Sequence, residues 1–364
     1  MQTDLNPQEH IRGRGASHNP PNRFNPIIVE RDNDSLEPGP APATQFFTDT
    51  SRTILAYNES PDIPFRYSLN PYRGCEHGCV YCYARPTHEY YGLSLGLDFE
   101  TKIFVKMNAP ALLKERLLYG NWVPQVVAMS SVTDPYQPVE RKLEITRKCL
   151  QVFAELKNPV AIVTKNKLVT RDLDLLIHLS RVKGVVVYLT ITTLLEGLRR
   201  LMEPRTSSVK ERLNTIASLT AAGVPCGVMV APVIMGFTDH ELPRILKNAR
   251  EAGAQFASYA PLRLPHGVAP LFEDWLTANF PHVKSKVINQ ILSMRGGKMN
   301  DPEFGTRMTG EGVYADHLQK LFQIICKKLG YKPCEEHLSA GSFRRVDPNQ
   351  LELFEIEQMQ GIQV

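Results

Sequence analysis

Between about residues 66 and 265 the chain alternates short apolar runs with longer stretches in which apolar positions recur every three to four residues. The apolar runs predict strands over 67–69, 102–106, 125–129, 160–164, 185–191, 226–230 and 255–259. The periodic stretches predict helices over 109–118, 139–156, 171–181, 208–222 and 240–252. Boundary residues agree with that division. Pro138 suits a first helical turn, Thr170 an N-cap, Ser208 with Glu211 a capping box, and Gly223 and Gly253 helix stops. Buried strands alternating with amphipathic helices build parallel βαβ units. Six or seven such units place the chain in the α/β class. They predict a full or partial parallel (β/α) barrel, with chemistry at the C-terminal ends of its strands.

The flanks read differently. Residues 1–65 hold nine of the 27 prolines and little periodicity, which predicts an extended N-terminal arm without a core of its own. Its apolar patches at 24–29 and Phe46-Phe47 suggest docking. Its basic residues Arg12, Arg14 and Arg23 suit packing across the barrel mouth better than tracking phosphates, because acidic residues outnumber basic ones there. Residues 266–364 form a mainly helical C-terminal region, with helices over 271–279, 283–294 and 316–329, a stop at Gly330, a glycine-rich loop over 295–305 and an acidic segment at 351–356. The organisation expected is therefore arm, 66–265 barrel and helical region.

Composition narrows the class. A chain of 364 residues with 43% hydrophobic and 22% charged residues is neither wholly disordered nor collagen-like. A net charge of +4 neither demands nor excludes a nucleic-acid partner. The uncharged stretch 213–238 contains Pro225, Pro232 and Gly223 and reads as helix end, buried strand and loop rather than a membrane span. The opening residues lack an apolar core, so no secretory leader is expected. Seven cysteines, an odd number, argue for a reducing compartment, and a cytoplasmic, monomeric protein away from membranes is expected.

Three of those cysteines are clustered. Residues 74–85 read Gly-Cys-Glu-His-Gly-Cys-Val-Tyr-Cys-Tyr-Ala-Arg, which spaces Cys75, Cys79 and Cys82 as C-x3-C-x2-C. Three thiolates in a loop after a strand suit one soft metal centre. A structural zinc site would want a fourth ligand, for which His77 is a candidate on paper only. Three cysteines on a [4Fe–4S] cluster would leave one iron open to a substrate or cofactor. Spacing alone leaves the cluster, zinc and unligated thiols as alternatives.

The motif, with Tyr81 as the aromatic of C-x3-C-x-aromatic-C, resembles that of the radical S-adenosylmethionine (SAM) enzymes. The Cys-x-Tyr-Cys-Tyr-Ala run is most similar to the spore photoproduct lyase-like branch. Gly13-Arg-Gly-Ala16, Asn22-Arg-Phe24, Thr133-Asp-Pro-Tyr-Gln-Pro138 and Leu262-Arg-Leu-Pro265 resemble an uncharacterised bacterial subgroup of it. The resemblance implies a partial barrel of the radical SAM type, a [4Fe–4S] cluster and SAM as cofactors, and a one-electron donor such as flavodoxin or ferredoxin. It implies lyase-like radical chemistry that begins with a 5′-deoxyadenosyl radical. The substrate is left open, with nucleic acid or a modified nucleotide among the candidates; DNA photoproduct repair and a non-catalytic Fe–S or zinc module are the rival readings.

Further site residues follow from strand ends and from the resemblance. Asp134 suits either a SAM ammonium or a helix cap, and the resemblance makes Thr133-Asp134 a SAM-binding pair. Lys165 stands where a SAM carboxylate needs a cation. Thr192, ahead of Thr190, is expected to reach the ribose or carboxylate, and Tyr83 to flank the adenine. Glu203 and Arg205 form a further candidate polar pair. Cys149, Cys226 and Cys326 read as core, and Cys334 with His337 has too few companions for a second metal site. One departure matters: the lyase uses a cysteine hydrogen donor two residues before its Ser-Asp pair, where this chain has Ser131.

Overall fold

The computed structural model describes residues 11–24, 42–333 and 338–345. Among the described residues there are ten strands: β1 Gln45–Thr48, β2 Leu55–Tyr57, β3 Tyr67–Leu69, β4 Tyr72–Arg73, β5 Lys102–Val105, β6 Val127–Met129, β7 Val160–Thr164, β8 Val185–Thr190, β9 Cys226–Val233 and β10 Phe256–Pro261. Seven form one sheet in the order β10-β9-β8-β7-β6-β3-β2. The six from β3 to β10 are parallel and lie in chain order, and β2 closes one edge antiparallel to β3. The sheet is open, a partial (β/α) barrel. Strand β8 is Val-Val-Val-Tyr-Leu-Thr, buried along nearly its whole length, as a parallel strand covered on both faces must be.

The 102–106 run is a strand, but not of the barrel. β5 pairs with β1 and β4 in a separate three-stranded sheet. The Pro-rich segment is more structured than its composition implies, since β1 and β2 both come from it. Neither strand could be read from the sequence: each is short and largely exposed, and backbone pairing with β5 and β3 holds it.

Two helix boundaries also differ. The 139–156 helix breaks into Glu140–Leu143 and Ile145–Leu156, with Glu144 between them in the left-handed region at φ 55°. The Glu140 carboxylate turns back to accept from the N–H groups of Thr146, at 3.0 Å, and Arg147, at 3.3 Å, capping the second helix from the first. Thr170 does not cap. A 3-10 turn, Lys167–Asp172, comes first, and Asn166 caps it by accepting from the N–H of Leu168. Ser208 and Glu211 do form the capping box of helix Val209–Ala221.

The C-terminal helices are Val268–Asn279, Pro281–Ser293 and Val313–Leu329, the last closed by Gly330 at φ 70°. Cys149 and Cys226 are buried in the main core and Cys326 packs against it. Cys334, His337 and the 351–356 segment lie outside the described residues. Among the described residues no helix is long and apolar enough to cross a membrane; residues 213–238 run from helix into β9.

Candidate active site

The loop after β4 carries Cys75, Cys79 and Cys82, all free thiols, the first two buried and the third half-buried. Cys82 bridges two apolar clusters, one with Cys75, Ala84 and Phe99, the other with Cys79, Val80, Tyr81 and Met202. Burial, and then the neighbouring Asp134 and Cys79, push the Cys75 thiol well above its ordinary pKa. Burial pushes Cys79 up to about 12, with Lys165 pulling the other way. Such thiols ionise only when a metal centre stabilises the thiolate. Among the described residues no three His, Cys, Asp or Glu side chains close around a single metal ion.

His77, inside the loop, is not free to ligate. Its Nδ1 lies 3.3 Å from Asp134 Oδ2 and its Nε2 3.1 Å from Asn166 Nδ2. A proton assigned to Nδ1 satisfies both contacts.

Asp134 is fully engaged by protein. Oδ1 accepts from the Tyr136 N–H at 2.9 Å and the Thr164 hydroxyl at 2.7 Å. Oδ2 accepts from the Lys165 N–H at 2.8 Å and faces His77. Burial opposes its charge, but His77, the Lys165 N–H and the Thr164 hydroxyl prevail and hold the pKa at about 2. A carboxylate offers about four acceptor positions, and all are taken. The expected contact of Asp134 with a SAM ammonium therefore has no acceptor site left. Thr133 is likewise turned inward: its N–H donates to Asn70 Oδ1 and its hydroxyl to the Tyr72 carbonyl.

Lys165 differs from Asp134. It sits at the end of β7, and its ammonium makes no hydrogen bond or ion pair with the described residues. Burial works against its charge, yet Cys79, Glu203 and Asp134 nearby hold its pKa above the ordinary lysine value. It is a cation beside the thiols with donors to spare.

Glu203 forms the second buried junction. It accepts from the Tyr81 and Thr192 hydroxyls and pairs with Arg212 at 2.5 Å, both members of the pair almost wholly buried. Burial opposes its ionisation; Arg212 first, then Lys165, outweigh that and leave its pKa at about 2. The Thr192 hydroxyl is thus committed to Glu203, whereas Thr190 Oγ1 is buried without a hydrogen-bond partner among the described residues. The expected Glu203–Arg205 pair does not form. Arg205 reaches Glu76 at 3.2 Å instead. Arg212 was not anticipated, although a charge on the apolar face of 209–221, in line with Val209, Ile216 and Leu219, is a visible signal.

Tyr83 stands half-exposed beside these groups, its hydroxyl donating to the Ser131 carbonyl. The Ser131 hydroxyl accepts from Asn70 Nδ2 at 3.0 Å. The loop is clamped from outside as well. Buried Arg85 donates to the Cys79 carbonyl at 3.0 Å and pairs with Glu100 at 2.5 Å. Glu100 in turn accepts from the N–H groups of Gly15, at 3.0 Å, and Ala16, at 2.8 Å. Arg14 is buried and donates to the Glu100 carbonyl, and Arg23, though exposed, pairs with Glu89 at 2.9 Å, while Arg12 stays exposed.

Comparison with known proteins adds the family. Residues 69–249 match the family model described as Radical SAM superfamily. An uncharacterized protein of Mycobacterium tuberculosis is 36% identical over 252 residues, 67% of this chain and 74% of that one. A radical SAM Nα-GlyT isomerase of a Pseudomonas phage is 21% identical over 271 residues, 73% of this chain and 53% of that one. Among solved structures, a cysteine-to-serine mutant of spore photoproduct lyase superposes with a TM-score of 0.57 at 16% identity, covering 79% of this chain and 80% of that one. A double mutant of the same enzyme with bound AdoMet and dinucleoside spore photoproduct gives a TM-score of 0.56 at 16% identity, with the same shares of the two chains covered. With the three-cysteine loop at the mouth of an open parallel barrel and a family match that runs from the end of β3 past β9, the chain belongs to the radical SAM superfamily and has the fold seen in spore photoproduct lyase.

Proposed function

We propose that the protein is a radical SAM enzyme whose [4Fe–4S] cluster is held by Cys75, Cys79 and Cys82 and whose SAM lies between that loop and the ends of β7 and β8. The observation that carries this reading is the donor set. Three neighbouring thiols, with His77 engaged by Asp134 and Asn166, offer three ligands and no fourth. That suits a cluster with one open iron, and not a closed zinc site. Thiols set around a multi-iron cluster need not close on a single ion, as these do not.

When bound, the cluster and SAM supply one-electron cleavage to a 5′-deoxyadenosyl radical that abstracts a substrate hydrogen. The chain's own residues bind and position. Lys165, with free donors, takes the SAM carboxylate. Tyr83 flanks the adenine with its half-exposed ring. Asp134 and Thr133 fix the loop after β6 rather than touching SAM, and Thr192 acts through Glu203. Val80, Leu262, Leu264 and Phe272 form the apolar packing around the loop that keeps bulk water away. A small one-electron donor of the flavodoxin or ferredoxin kind supplies the electron, and a reducing, cytoplasmic setting suits exposed-iron chemistry.

The test is anaerobic purification followed by iron and sulfide analysis and a SAM cleavage assay. About four irons per chain and reductant-dependent 5′-deoxyadenosine are expected. The triple variant with Cys75, Cys79 and Cys82 each changed to alanine should lose both. Retention of the iron by that variant would refute the assignment.

A further inference from the structure

Two features singled out in the sequence, Leu262-Arg-Leu-Pro265 and the glycine-rich loop 295–305, meet in the fold at a place the proposed chemistry has not used. Arg263 lies just beyond the C-terminal end of β10, on the side of the barrel where the cysteine loop opens. Its guanidinium stands 5.8 Å from the ring centroid of Tyr83, the residue next to Cys82. Around it are Arg295 and Arg307. Arg295 donates to the Leu262 carbonyl at 2.7 Å and to the Arg307 carbonyl at 3.1 Å.

The acids nearby form no ion pair with Arg263 among the described residues. Asp62 pairs with Arg307 at 2.6 Å and accepts from the Gly305 N–H at 2.7 Å. Asp301 accepts from the Thr306 hydroxyl at 2.6 Å and the Glu303 N–H at 2.9 Å within its own loop. Arg263 is left with a thioether, donating to Met308 Sδ at 3.0 Å, while its Nε is buried without a hydrogen-bond partner among the described residues. Burial, then the charge of Arg307, depress its pKa, and the more distant Asp62 and Asp301 only partly offset them. A guanidinium has five donors and no acceptor, and even a half-buried charge left unpaired has a cost. Such a fork matches the oxygens of a phosphate or carboxylate.

We propose that Arg263, supported by Arg295 and Arg307, binds an oxyanion of the substrate, a phosphate ester or a carboxylate, and so anchors the substrate one aromatic ring away from the cysteine loop. This rests on the proposed function only for the word substrate; the anion site itself is a property of the folded chain.

The test is equilibrium dialysis of the anaerobically reconstituted full chain against radiolabelled inorganic phosphate and, separately, acetate, with ionic strength held constant by chloride. Saturable binding of one of them at one site per chain is expected, weakened tenfold or more in Arg263→Met and less in Arg263→Lys, which keeps the charge but loses the fork. Phosphate as the better ligand marks a phosphate ester, acetate a carboxylate. SAM binding, measured in the same samples, should be unchanged in Arg263→Met. The proposal is overturned if neither anion binds the wild type saturably, if Arg263→Met binds as well as the wild type, or if the variant instead loses SAM. Should Arg263→Met not fold, the wild type and Arg263→Lys decide by the same criteria. Anion binding by a chain that neither holds iron nor cleaves SAM would leave this site standing and remove the functional reading.

Discussion

The Tyr81 hydroxyl donates to the Glu203 carboxylate across 122 residues of sequence. Tyr81 lies between Cys79 and Cys82, so this bond anchors the cysteine loop to a residue beyond β8. Arg212 completes the junction as the buried counter-ion of Glu203. Removing one partner of a buried ion pair leaves the other charge uncompensated, at a cost of about 3–5 kcal/mol. Glu203→Gln should therefore lower unfolding stability by an amount of that order and reduce iron per chain. Tyr81→Phe loses only one hydrogen bond and should cost about 1 kcal/mol. Urea unfolding and iron analysis of the two variants check the ordering; equal, small effects would show that the junction does not hold the loop.

Asp134 and Lys165 are neighbours in space with separable roles. The carboxylate has its acceptor positions filled by Tyr136, Thr164, Lys165 and His77, whereas the ammonium of Lys165 has free donors. Lys165→Met should weaken SAM binding tenfold or more, the value of a charge-assisted contact of about 1.5–3 kcal/mol, while lowering the melting temperature less than the loss of Asp134 does. Asp134→Ala should lower the melting temperature and SAM affinity together, because it releases the loop. Calorimetric titration beside thermal melts separates the two. A variant of Asp134 that melts normally yet loses SAM would restore a direct contact.

Gly15 is a steric requirement. A Cβ there would lie 1.8 Å from the Gly78 carbonyl oxygen, which is backbone and cannot swing away. Gly15→Ala should lift the arm from Glu100, breaking the N–H contacts of Gly15 and Ala16. Limited proteolysis should then cut near residues 11–24 faster than in the wild type, and iron retention should fall. An unchanged cleavage pattern would show that the arm does not clamp the loop.

The cysteine triad was legible because its members lie within eight residues, as were the six barrel strands, each a short, mostly apolar run. What could not be read depends on pairing across distance. Gly15 and Glu100 are 85 residues apart, and Tyr81 and Glu203 lie further still. β1 and β2 carry no periodicity because their faces are exposed, and the break at Glu144 is made by a side-chain cap from Glu140 that propensity does not record. Asp134 shows the same limit. Its residue type suits a SAM ligand, and only the positions of four donors show that it is already occupied.

His88 gives the fold an acid sensitivity. Its Nε2 donates to the Lys102 carbonyl at 2.9 Å, and its Nδ1 is buried without a hydrogen-bond partner among the described residues. Burial foremost lowers its pKa to about 4 from 6.5. The unfolded chain thus binds the proton more readily, so the stability of the neutral imidazole is present above pH 6.5 and lost progressively as pH falls towards 4. The loss should reach ~3 kcal/mol. His88→Gln, which keeps a donor for Lys102, should flatten the difference between urea midpoints at pH 6.5 and pH 4.5 relative to the wild type. An identical pH dependence would assign the sensitivity elsewhere.

Ser131 decides how far the likeness to spore photoproduct lyase extends. The fold is shared, but the position expected to hold a hydrogen-donating cysteine carries a serine, placed by its Asn70 contact and by the Tyr83 hydroxyl on its carbonyl. A hydroxyl gives up a hydrogen atom far less readily than a thiol, so a product radical formed at this site would lack its donor. The wild type should therefore make 5′-deoxyadenosine under reducing conditions without efficiently releasing thymine from a dinucleotide spore photoproduct. The check is an anaerobic assay on that dinucleotide with chromatographic detection of both products, beside deuterium tracing from labelled phosphate-bearing and carboxylate-bearing candidates into 5′-deoxyadenosine. Robust thymine release by the wild type would make Ser131 irrelevant to the outcome and establish the protein as a repair lyase. Deuterium entering 5′-deoxyadenosine from one candidate class alone would identify the chemistry that the barrel mouth accepts.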